Sequence, residues 1–149
     1  MGLRSKIVNR VAAAAAVALS VITMTTTTAG AAAQEFIYSG QDYGYAGATF
    51  DWTGRGSVGN IDLIVSDWGC DAKPVYAYFL FYNGSLHPDS TPTHRYDYSG
   101  CDKEDYTTYN DLKWSISGDS ITYFAVVVCR DAFNGPCKVG GLSGRNPYA

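Results

Sequence analysis

Apolar and aromatic side chains occupy both faces of one stretch of the chain, Pro74 to Gly84. A period of two, which is that of a β-strand, places Val75, Ala77, Phe79 and Phe81 on one face and Tyr76, Tyr78, Leu80 and Tyr82 on the other. Because neither face is charged, the pattern predicts a central strand that is covered on both sides. Asn83 and Gly84 then predict a tight turn, since both tolerate positive φ angles.

Further apolar and alternating segments predict a chain built of short strands. Ile121 to Cys129 is strongly apolar, so we expect a second central strand there. Half-buried or edge strands are predicted at residues 48–53, 60–66, 94–98 and 112–116. With about seven strands and no amphipathic helical pattern, the chain is predicted to be all-β. The expected architecture is a small antiparallel two-sheet sandwich, immunoglobulin-like in outline, with a small β-barrel as the alternative.

Residues 1–33 have the layout of a secretory signal peptide. Arg4, Lys6 and Arg10 precede an apolar run, and Ala31-Ala32-Ala33 supplies the A-x-A cleavage pattern. The run is Ala-rich and shorter than the roughly 20 strongly apolar residues that a membrane span needs. We therefore expect a secreted, extracellular protein without a membrane anchor after cleavage. The mature part is predicted to be an aromatic, Gly-rich N-terminal arm (residues 34–47) and a single β-sandwich domain (residues 48–149).

The charge of the mature chain restricts its partners. The full chain has 11 basic and 14 acidic residues and a net charge of −3, and three of the basic residues belong to the signal. The mature part therefore has a net charge of −6. Nucleic acids and anionic membranes are disfavoured as partners, because phosphate binding needs a basic patch.

All four cysteines belong to the mature part, and an oxidising compartment predicts two disulfides. Three pairings are possible. Cys70–Cys101 with Cys129–Cys137 is preferred, because the second pair brackets a segment rich in turn residues. A zinc site is not indicated, since the chain has no C-x-x-C pair.

Residue types that carry chemistry are few and scattered. His87 and His94 are separated by two prolines and match no catalytic or metal motif, and the G-x-S-x-G pattern is missing. Asp97, Asp102, Glu104 and Asp105 cluster, but we interpret them as a solvated acidic loop and not as a glycosidase or calcium site. We therefore predict no catalytic, cofactor or metal site, and expect that the protein is not an enzyme.

Aromatic content is the unusual property, since all 12 tyrosines, six phenylalanines and three tryptophans belong to the mature part. Tyrosine and tryptophan offer large, rigid contact area and are favoured at binding surfaces. The arm is open to two interpretations: an edge strand of its own domain, or a segment that docks on another protein. The predicted partner-binding residues are Phe36, Ile37, Tyr38, Tyr43, Tyr45, Tyr96 and Tyr98.

An Ala-rich signal, the leader Glu35-Phe36-Ile37-Tyr38-Ser39-Gly40 and a four-cysteine β body ending in Val128-Cys129-Arg130 and Cys137 resemble small secreted actinomycete proteins. Among these are the adaptor subunits of umbrella toxin particles, which link a lectin-bearing spoke to a toxin-bearing stalk. The resemblance implies an adaptor in an extracellular toxin complex.

The sequence thus predicts a secreted, non-catalytic protein–protein interaction module whose partner is another secreted protein. One alternative is a carbohydrate-binding module that holds a polysaccharide through exposed rings. Another is a secreted enzyme inhibitor that inserts the Pro-containing loop at residues 85–93.

Overall fold

The computed structural model describes residues 34–84, 88–100 and 104–149. In these ranges the chain is all-β, as predicted, with nine strands and no helix. The strands are β1 (Glu35–Gln41), β2 (Gly44–Gly54), β3 (Ser57–Asp67), β4 (Val75–Tyr82), β5 (Asp89–Ser90), β6 (Arg95–Asp97), β7 (Thr107–Ser115), β8 (Tyr123–Arg130) and β9 (Cys137–Val139). The predicted signal peptide, residues 1–33, lies outside the described residues.

The nine strands form two antiparallel sheets. Sheet A has the order β1-β2-β3-β7, and sheet B has the order β5-β4-β8-β9 with β6 also paired to β4. The short strands β5 and β6 pair with opposite ends of β4, at Leu80–Phe81 and at Val75–Ala77. Strand β4 therefore lies between these two and β8, and β8 lies between β4 and β9, so both predicted central strands are confirmed as central.

The two sheets share one hydrophobic core in a sandwich-like arrangement. Sheet A contributes Phe50, which packs edge-on against Phe124 of sheet B with ring centroids 4.9 Å apart. Phe79 and Phe81 of β4 stack on the same Phe124 ring at 4.8 and 5.1 Å. Burying each of these rings contributes roughly 1.5–3 kcal/mol, which makes this aromatic group a large part of what holds the sheets together.

The sequence predicts that both faces of β4 are covered, and on the outer face the tyrosines of β4 itself provide most of that cover. Leu80 is buried together with three outward residues of β8, Ala125, Val127 and Cys129. The partly buried side chains that pack against this small cluster are the outward tyrosines of β4 itself, Tyr76, Tyr78 and Tyr82. A tyrosine ring can shield apolar neighbours while its hydroxyl stays in water, which suits the outside of a sheet.

The N-terminal arm is an edge strand of its own domain, the first of the two interpretations given above. Strand β1 pairs with β2 along its whole length, and β2 runs across the expected boundary at residues 47 and 48. Glu35 accepts hydrogen bonds from the Trp52 indole at 2.8 Å and from the Gly144 amide at 2.7 Å. The first strand is thus tied both to its neighbour and to the C-terminal segment.

The C-terminal segment runs along β8 and closes the edge of sheet B. The amides of Gly140, Ser143 and Asn146 donate to carbonyl oxygens of β8 and of Thr122, which precedes it, at 2.8–2.9 Å. The Asn146 side-chain amide also donates to the Gly54, Arg55 and Ile121 carbonyls, so one buried residue joins the β2–β3 hairpin to sheet B. Within the described ranges no helix is able to cross a bilayer.

The predicted disulfide Cys129–Cys137 is confirmed, and it joins the neighbouring strands β8 and β9. It therefore lies within sheet B, whereas the conserved disulfide of immunoglobulin domains joins the two sheets. Cys101 lies outside the described residues, so the Cys70–Cys101 pairing stays a prediction. The immunoglobulin-like outline also stays a prediction.

Candidate functional site

Four aromatic rings form a continuous row on the outer face of sheet A, which we call the ring row: Phe36, Tyr38, Tyr45 and Trp68. Successive ring centroids are 5.9, 6.3 and 6.1 Å apart, and successive ring planes differ by 20°, 23° and 7°. Phe36 and Tyr38 are 57% and 59% exposed. The row crosses β1 and β2 and ends just after β3, so three strands position it.

Two glycines allow the ring row to form. Tyr38 lies opposite Gly47, and Tyr45 lies opposite Gly40. A Cβ added to Gly47 would lie 2.5 Å from the Tyr45 hydroxyl oxygen, and one added to Gly40 would lie 3.4 Å from the Tyr45 ring. The Tyr45 ring therefore lies down over backbone that has no side chains, instead of standing away from the sheet.

Hydrogen bonding orients the far end of the row. The Trp68 indole donates to Ser66 Oγ at 2.9 Å, and Ser66 Oγ donates in turn to the Asp105 carbonyl at 2.8 Å. Burial, and secondarily the neighbouring Tyr38, raise the pKa of the Tyr45 hydroxyl. That hydroxyl consequently stays protonated at neutral pH and is able to donate.

The surroundings of the ring row are polar and carry no basic group from its own strands. Register pairs place Thr49, Asp62, Ile64 and Thr108 on the same face, next to the rings. Strands β1, β2 and β3 contain no lysine and no arginine. The rings thus form a narrow aromatic strip on a polar, weakly acidic sheet.

A second group of rings lies on the outer face of sheet B, and we call it the tyrosine face: Tyr76, Tyr78, His94, Tyr96 and Tyr98. The His94 ring stacks on Tyr76 at 4.5 Å, and Tyr96 lies 5.3 Å from Tyr76 and 5.5 Å from Tyr98. Tyr98 is 74% exposed. These rings adjoin the buried outer cluster of β4 and β8, so the aromatic surface here is broad.

Buried Asp97 holds the strand that carries Tyr96 and Tyr98. Its carboxylate accepts hydrogen bonds from the Asp67 amide, the Ser99 amide and hydroxyl, and the Thr107 hydroxyl, at 2.7–3.2 Å. Burial alone would raise its pKa, but these donors outweigh burial and lower it. The expectation of a solvated Asp97 was therefore wrong: the side chain is only 1% exposed, because four donors replace water.

A second buried carboxylate beside it behaves in the opposite way. Burial raises the pKa of Asp67, and the Asp97 charge raises it further. The Gly69 amide, which donates to Asp67 at 2.8 Å, and the Arg130 charge oppose the shift without cancelling it. Two neighbouring acids thus have pKa values displaced in opposite directions. The Asp97 carboxylate also links β6 to β3 and to β7.

The hydroxyls of Tyr76 and Tyr96 stay protonated. Burial is the main cause that raises the pKa of Tyr76 and of Tyr96, and the charge of Asp131 contributes to both. The Tyr109 hydroxyl donates to the Tyr96 carbonyl at 2.6 Å and so connects β7 to β6. Tyr76 and Tyr96 therefore offer neutral phenol groups, and the hydrogen bond from β7 holds the backbone of β6 in place.

A disulfide-closed loop displays one aromatic side chain fully to solvent. Phe133, which is 98% exposed, lies between Cys129 and Cys137. The Gly135 amide donates to the Ala132 carbonyl at 2.7 Å, which closes a tight turn with Phe133 at its corner. An apolar ring held this far into water is the most exposed large hydrophobic side chain among the described residues.

This loop is fastened to the end of the molecule that carries the tyrosine face. The Asp131 amide donates to the Pro74 carbonyl at 2.8 Å, directly before β4. Arg130 forms an ion pair with Asp71. Phe133 is therefore presented on a stiff support and not on a free segment.

The predicted partner-binding residues separate into three groups. Phe36, Tyr38 and Tyr45 belong to the ring row; Tyr96 and Tyr98 belong to the tyrosine face. Ile37 and Tyr43 belong to neither surface.

Ile37 is only 3% exposed and packs in the shared core, because it points to the opposite side of β1 from Phe36 and Tyr38. Tyr43 is half-buried against the same core, and its hydroxyl donates to the Pro136 carbonyl at 3.0 Å. We therefore withdraw both residues from the partner-binding set.

Several rings at these surfaces, some exposed and some half-buried, were not predicted as site residues: Trp68, Tyr76, Tyr78, His94 and Phe133. Trp68 and Phe133 lie in segments that the sequence marks only as turns. An aromatic residue inside a polar turn is itself a signal, because such a ring has no local reason to be there. Tyrosines in place of aliphatic residues on one face of β4 are a second signal, since their hydroxyls favour contact with water.

The residues considered for catalysis form no common site in the described part of the chain. His87 and Asp102 lie outside the described residues, whereas Glu104 and Asp105 are exposed. No group of three histidine, cysteine or acidic side chains able to hold a metal ion occurs in the described ranges. A cleft of about 150 Å³ opens between the sheets near Phe79 and Trp114.

No protein-family model, no curated protein and no solved structure matches this chain.

Proposed function

We propose that the protein is a secreted, non-catalytic protein–protein interaction module that binds another secreted protein through the tyrosine face. The observation that carries the proposal is the contiguity of the five rings of this face, with centroids of neighbouring rings 4.5–6.4 Å apart. Residues 1–33 are removed on export in this proposal, which leaves the described domain as the functional part.

The chemistry of the tyrosine face suits a protein partner. Its rings supply broad apolar area, and the neutral hydroxyls of Tyr76 and Tyr96 supply hydrogen-bonding groups. For this reason tyrosine is frequent among the residues that contribute most to the affinity of protein interfaces. Its side chain has only two rotatable χ angles, so it loses little entropy when a partner covers it. The β6 strand is fixed by Asp97, so the surface is organised before binding.

Phe133 acts as the anchor at the edge of this surface. Burying an exposed phenylalanine in an apolar pocket of the partner contributes roughly 1.5–3 kcal/mol. The disulfide and the turn already restrict the loop, so little ordering cost remains to be met on binding. The expected partner therefore has an apolar pocket beside a flat, partly polar surface.

An adaptor role follows if the chain holds two ligands at once. The tyrosine face and the ring row lie on the outer faces of different sheets, so ligands on both do not compete for the same surface. The resemblance to toxin-particle adaptors fits such an arrangement. The inhibitor alternative assigns the inserting role to the loop at residues 85–93; residues 85–87 lie outside the described residues, so that alternative stays a prediction.

The second disulfide belongs to the same proposal. Cys129 and Cys137 are paired, and an exported chain meets an oxidising environment, which supports a bond between the other two cysteines, Cys70 and Cys101. Peptide mapping without reduction tests this bond directly.

The test of the proposed function uses residues 34–149 as bait in culture medium of the producing organism. A captured protein is identified, purified and titrated against the wild-type domain and against variants. We expect Tyr98→Ala and Phe133→Ala each to weaken its binding about tenfold or more. The matched control is Tyr106→Ala, an exposed tyrosine outside the face, which should bind like wild type. Equal binding by all variants would contradict the proposal.

A further inference from the structure

We propose that the ring row is a separate binding site for a neutral polysaccharide chain. This inference goes beyond the protein-binding surface and does not depend on it, because the ring row lies on sheet A and the tyrosine face on sheet B. Four features carry it: the ring planes, the width of the strip, the charge around it and its rigidity.

The ring planes suit stacked sugars. A pyranose has one face made of C–H groups, and this face packs on an aromatic ring because the ring face carries negative charge density that attracts polarised hydrogens. Tyr38, Tyr45 and Trp68 have planes within 23° of their neighbours, with centroids about 6 Å apart. A row of near-parallel rings repeats the same apolar contact along a line, as a chain of repeating units requires.

The width of the strip favours a linear polymer over a protein. A protein interface has a broad, dry apolar centre surrounded by a polar rim. Here Thr49, Asp62 and Thr108 share the outer face with the rings, and Ile64 is the apolar residue among them, so the strip is bordered mainly by polar groups. A sugar chain that stacks on the rings places its hydroxyl groups at its edges, where these side chains and the Tyr45 hydroxyl are in reach to exchange hydrogen bonds.

The charge around the row selects a neutral chain. Asp51 and Asp62 lie on the outer face of sheet A with the rings, and strands β1, β2 and β3 contain no basic residue. One basic residue, Lys138 of β9, lines a pocket with Tyr38 and Gly40 at the edge of the row, so the acidic groups around the rings outnumber it. Asp42, in the turn between β1 and β2, is exposed and adds a further acidic group. Polymers of uronic acids or phosphates would be repelled, whereas neutral hexoses, pentoses and N-acetylated sugars would not.

The rigidity of the row lowers the cost of binding. Tyr45 rests over Gly40 and Gly47, and Trp68 is oriented by its hydrogen bond to Ser66. Side chains that are already ordered lose little rotamer entropy when a ligand covers them. The stacking surface is therefore present before the polysaccharide arrives.

The test uses residues 34–149 and defined neutral probes: cellulose, chitin, xylan and mannan as insoluble polymers, and their soluble hexasaccharides. Polygalacturonate serves as the anionic probe. We expect at least one neutral polymer to retain the protein, and its hexasaccharide to shift amide resonances of β1 and β2 in a titration. Tyr38→Ala and Phe36→Ala should each weaken that binding about tenfold, while Tyr98→Ala, on the other sheet, leaves it unchanged.

Retention by none of the neutral polymers would overturn the site, and so would tighter binding of polygalacturonate. Wild-type affinity of both Tyr38→Ala and Phe36→Ala would overturn it as well. Both residues are more than half exposed, so the variants should fold, and their thermal unfolding midpoints verify this. Failure here leaves the capture of a protein through Tyr98 and Phe133 untouched, because the two experiments use variants on different surfaces.

Discussion

The outer faces of the two sheets both display aromatic rings, yet different parts of the chain hold those rings in place. On sheet A, the Tyr45 ring lies over glycine backbone, and Thr49 and Asp62 lie further along the same face. On sheet B, Tyr96 and Tyr98 belong to a strand of three residues and its flank, which a buried Asp97 fastens to neighbouring strands. The ring row therefore depends on glycines, which have no side chain, whereas the tyrosine face depends on a charged carboxylate buried beneath it.

This difference teaches that aromatic content alone does not define a binding surface. A narrow row on a polar sheet and a broad face over an apolar cluster suit different ligands, even though both consist of aromatic rings. Substitutions at the two supports should have different effects. Loss of the buried carboxylate should lower the stability of the whole domain, whereas a larger residue in place of a glycine should chiefly disturb the ring row.

The largest effect is expected for Asp97→Asn. An amide keeps the shape but removes the charge, and its NH₂ group faces donors in place of an acceptor. Because hydrogen bonds to a charged group contribute about 1.5–3 kcal/mol each and are not additive, we expect a loss of about 3 kcal/mol in the free energy of unfolding. Urea denaturation at pH 7 measures it. Asp89→Asn, an exposed carboxyl in β5, is the control and should change little.

The pH dependence of stability should separate Asp97 from Asp67. The folded pKa of Asp97 lies below its ordinary value of 3.8, so its contribution is present above that pH and is lost as the pH falls towards the folded pKa. The folded pKa of Asp67 lies above 3.8, so its contribution is present at lower pH and is lost as the pH rises through the folded pKa.

Denaturation of Asp67→Asn and Asp97→Asn from pH 3 to pH 7 checks this pair. The deficit of Asp97→Asn relative to wild type should grow as the pH rises. Asp67→Asn should instead gain stability relative to wild type over the same range, because it removes a charge that burial disfavours. Parallel profiles of the two variants would show that the two carboxyls do not differ in this way.

An intermediate effect is expected for Glu35→Ala, which tests the support of the ring row at the β1 edge. The variant loses the acceptors for the Trp52 indole and the Gly144 amide, so β1 and the C-terminal segment should loosen together. We expect a loss of about 1–2 kcal/mol in unfolding free energy and faster amide exchange in β1. Glu35→Gln retains one acceptor and should fall between wild type and alanine; equal values for all three would contradict the role of Glu35.

A smaller effect on stability is expected for Gly47→Ala, but a specific one on the ring row. The new methyl group occupies the place of the Tyr45 hydroxyl, so that ring must lift off the sheet. We expect a cost of about 1 kcal/mol and weaker polysaccharide binding, with binding at the tyrosine face unchanged. Gly141→Ala, where an added Cβ meets nothing within 4 Å, is the matched control.

The smallest effect on stability is expected for Phe133→Ala. The side chain is 98% exposed, so its removal should change the unfolding free energy by no more than about 0.5 kcal/mol. Thermal unfolding measures this change. A clearly larger loss would mean that the ring packs on its own domain, and would remove it as an anchor for the protein partner.

The strands and one disulfide could be predicted from the sequence by itself. A period of two in side-chain polarity reflects backbone geometry within a single strand, so β4 and β8 are evident before any tertiary contact is known. Cys129 and Cys137 are eight residues apart with turn residues between them, so their pairing is also local. The same periodicity places Ile37 opposite Phe36 and Tyr38, although it does not say which side faces water.

Only the tertiary structure decided which faces are buried. Both faces of β4 are apolar, and the Val75 face became the inner one because Phe50 and other residues of sheet A, from earlier in the chain, pack against it. Asp97 became buried because donors from Asp67 and Thr107, 30 and 10 residues away in sequence, meet at its carboxylate. Alternation describes one strand at a time, whereas burial depends on which distant segment covers that strand, and this information is not local.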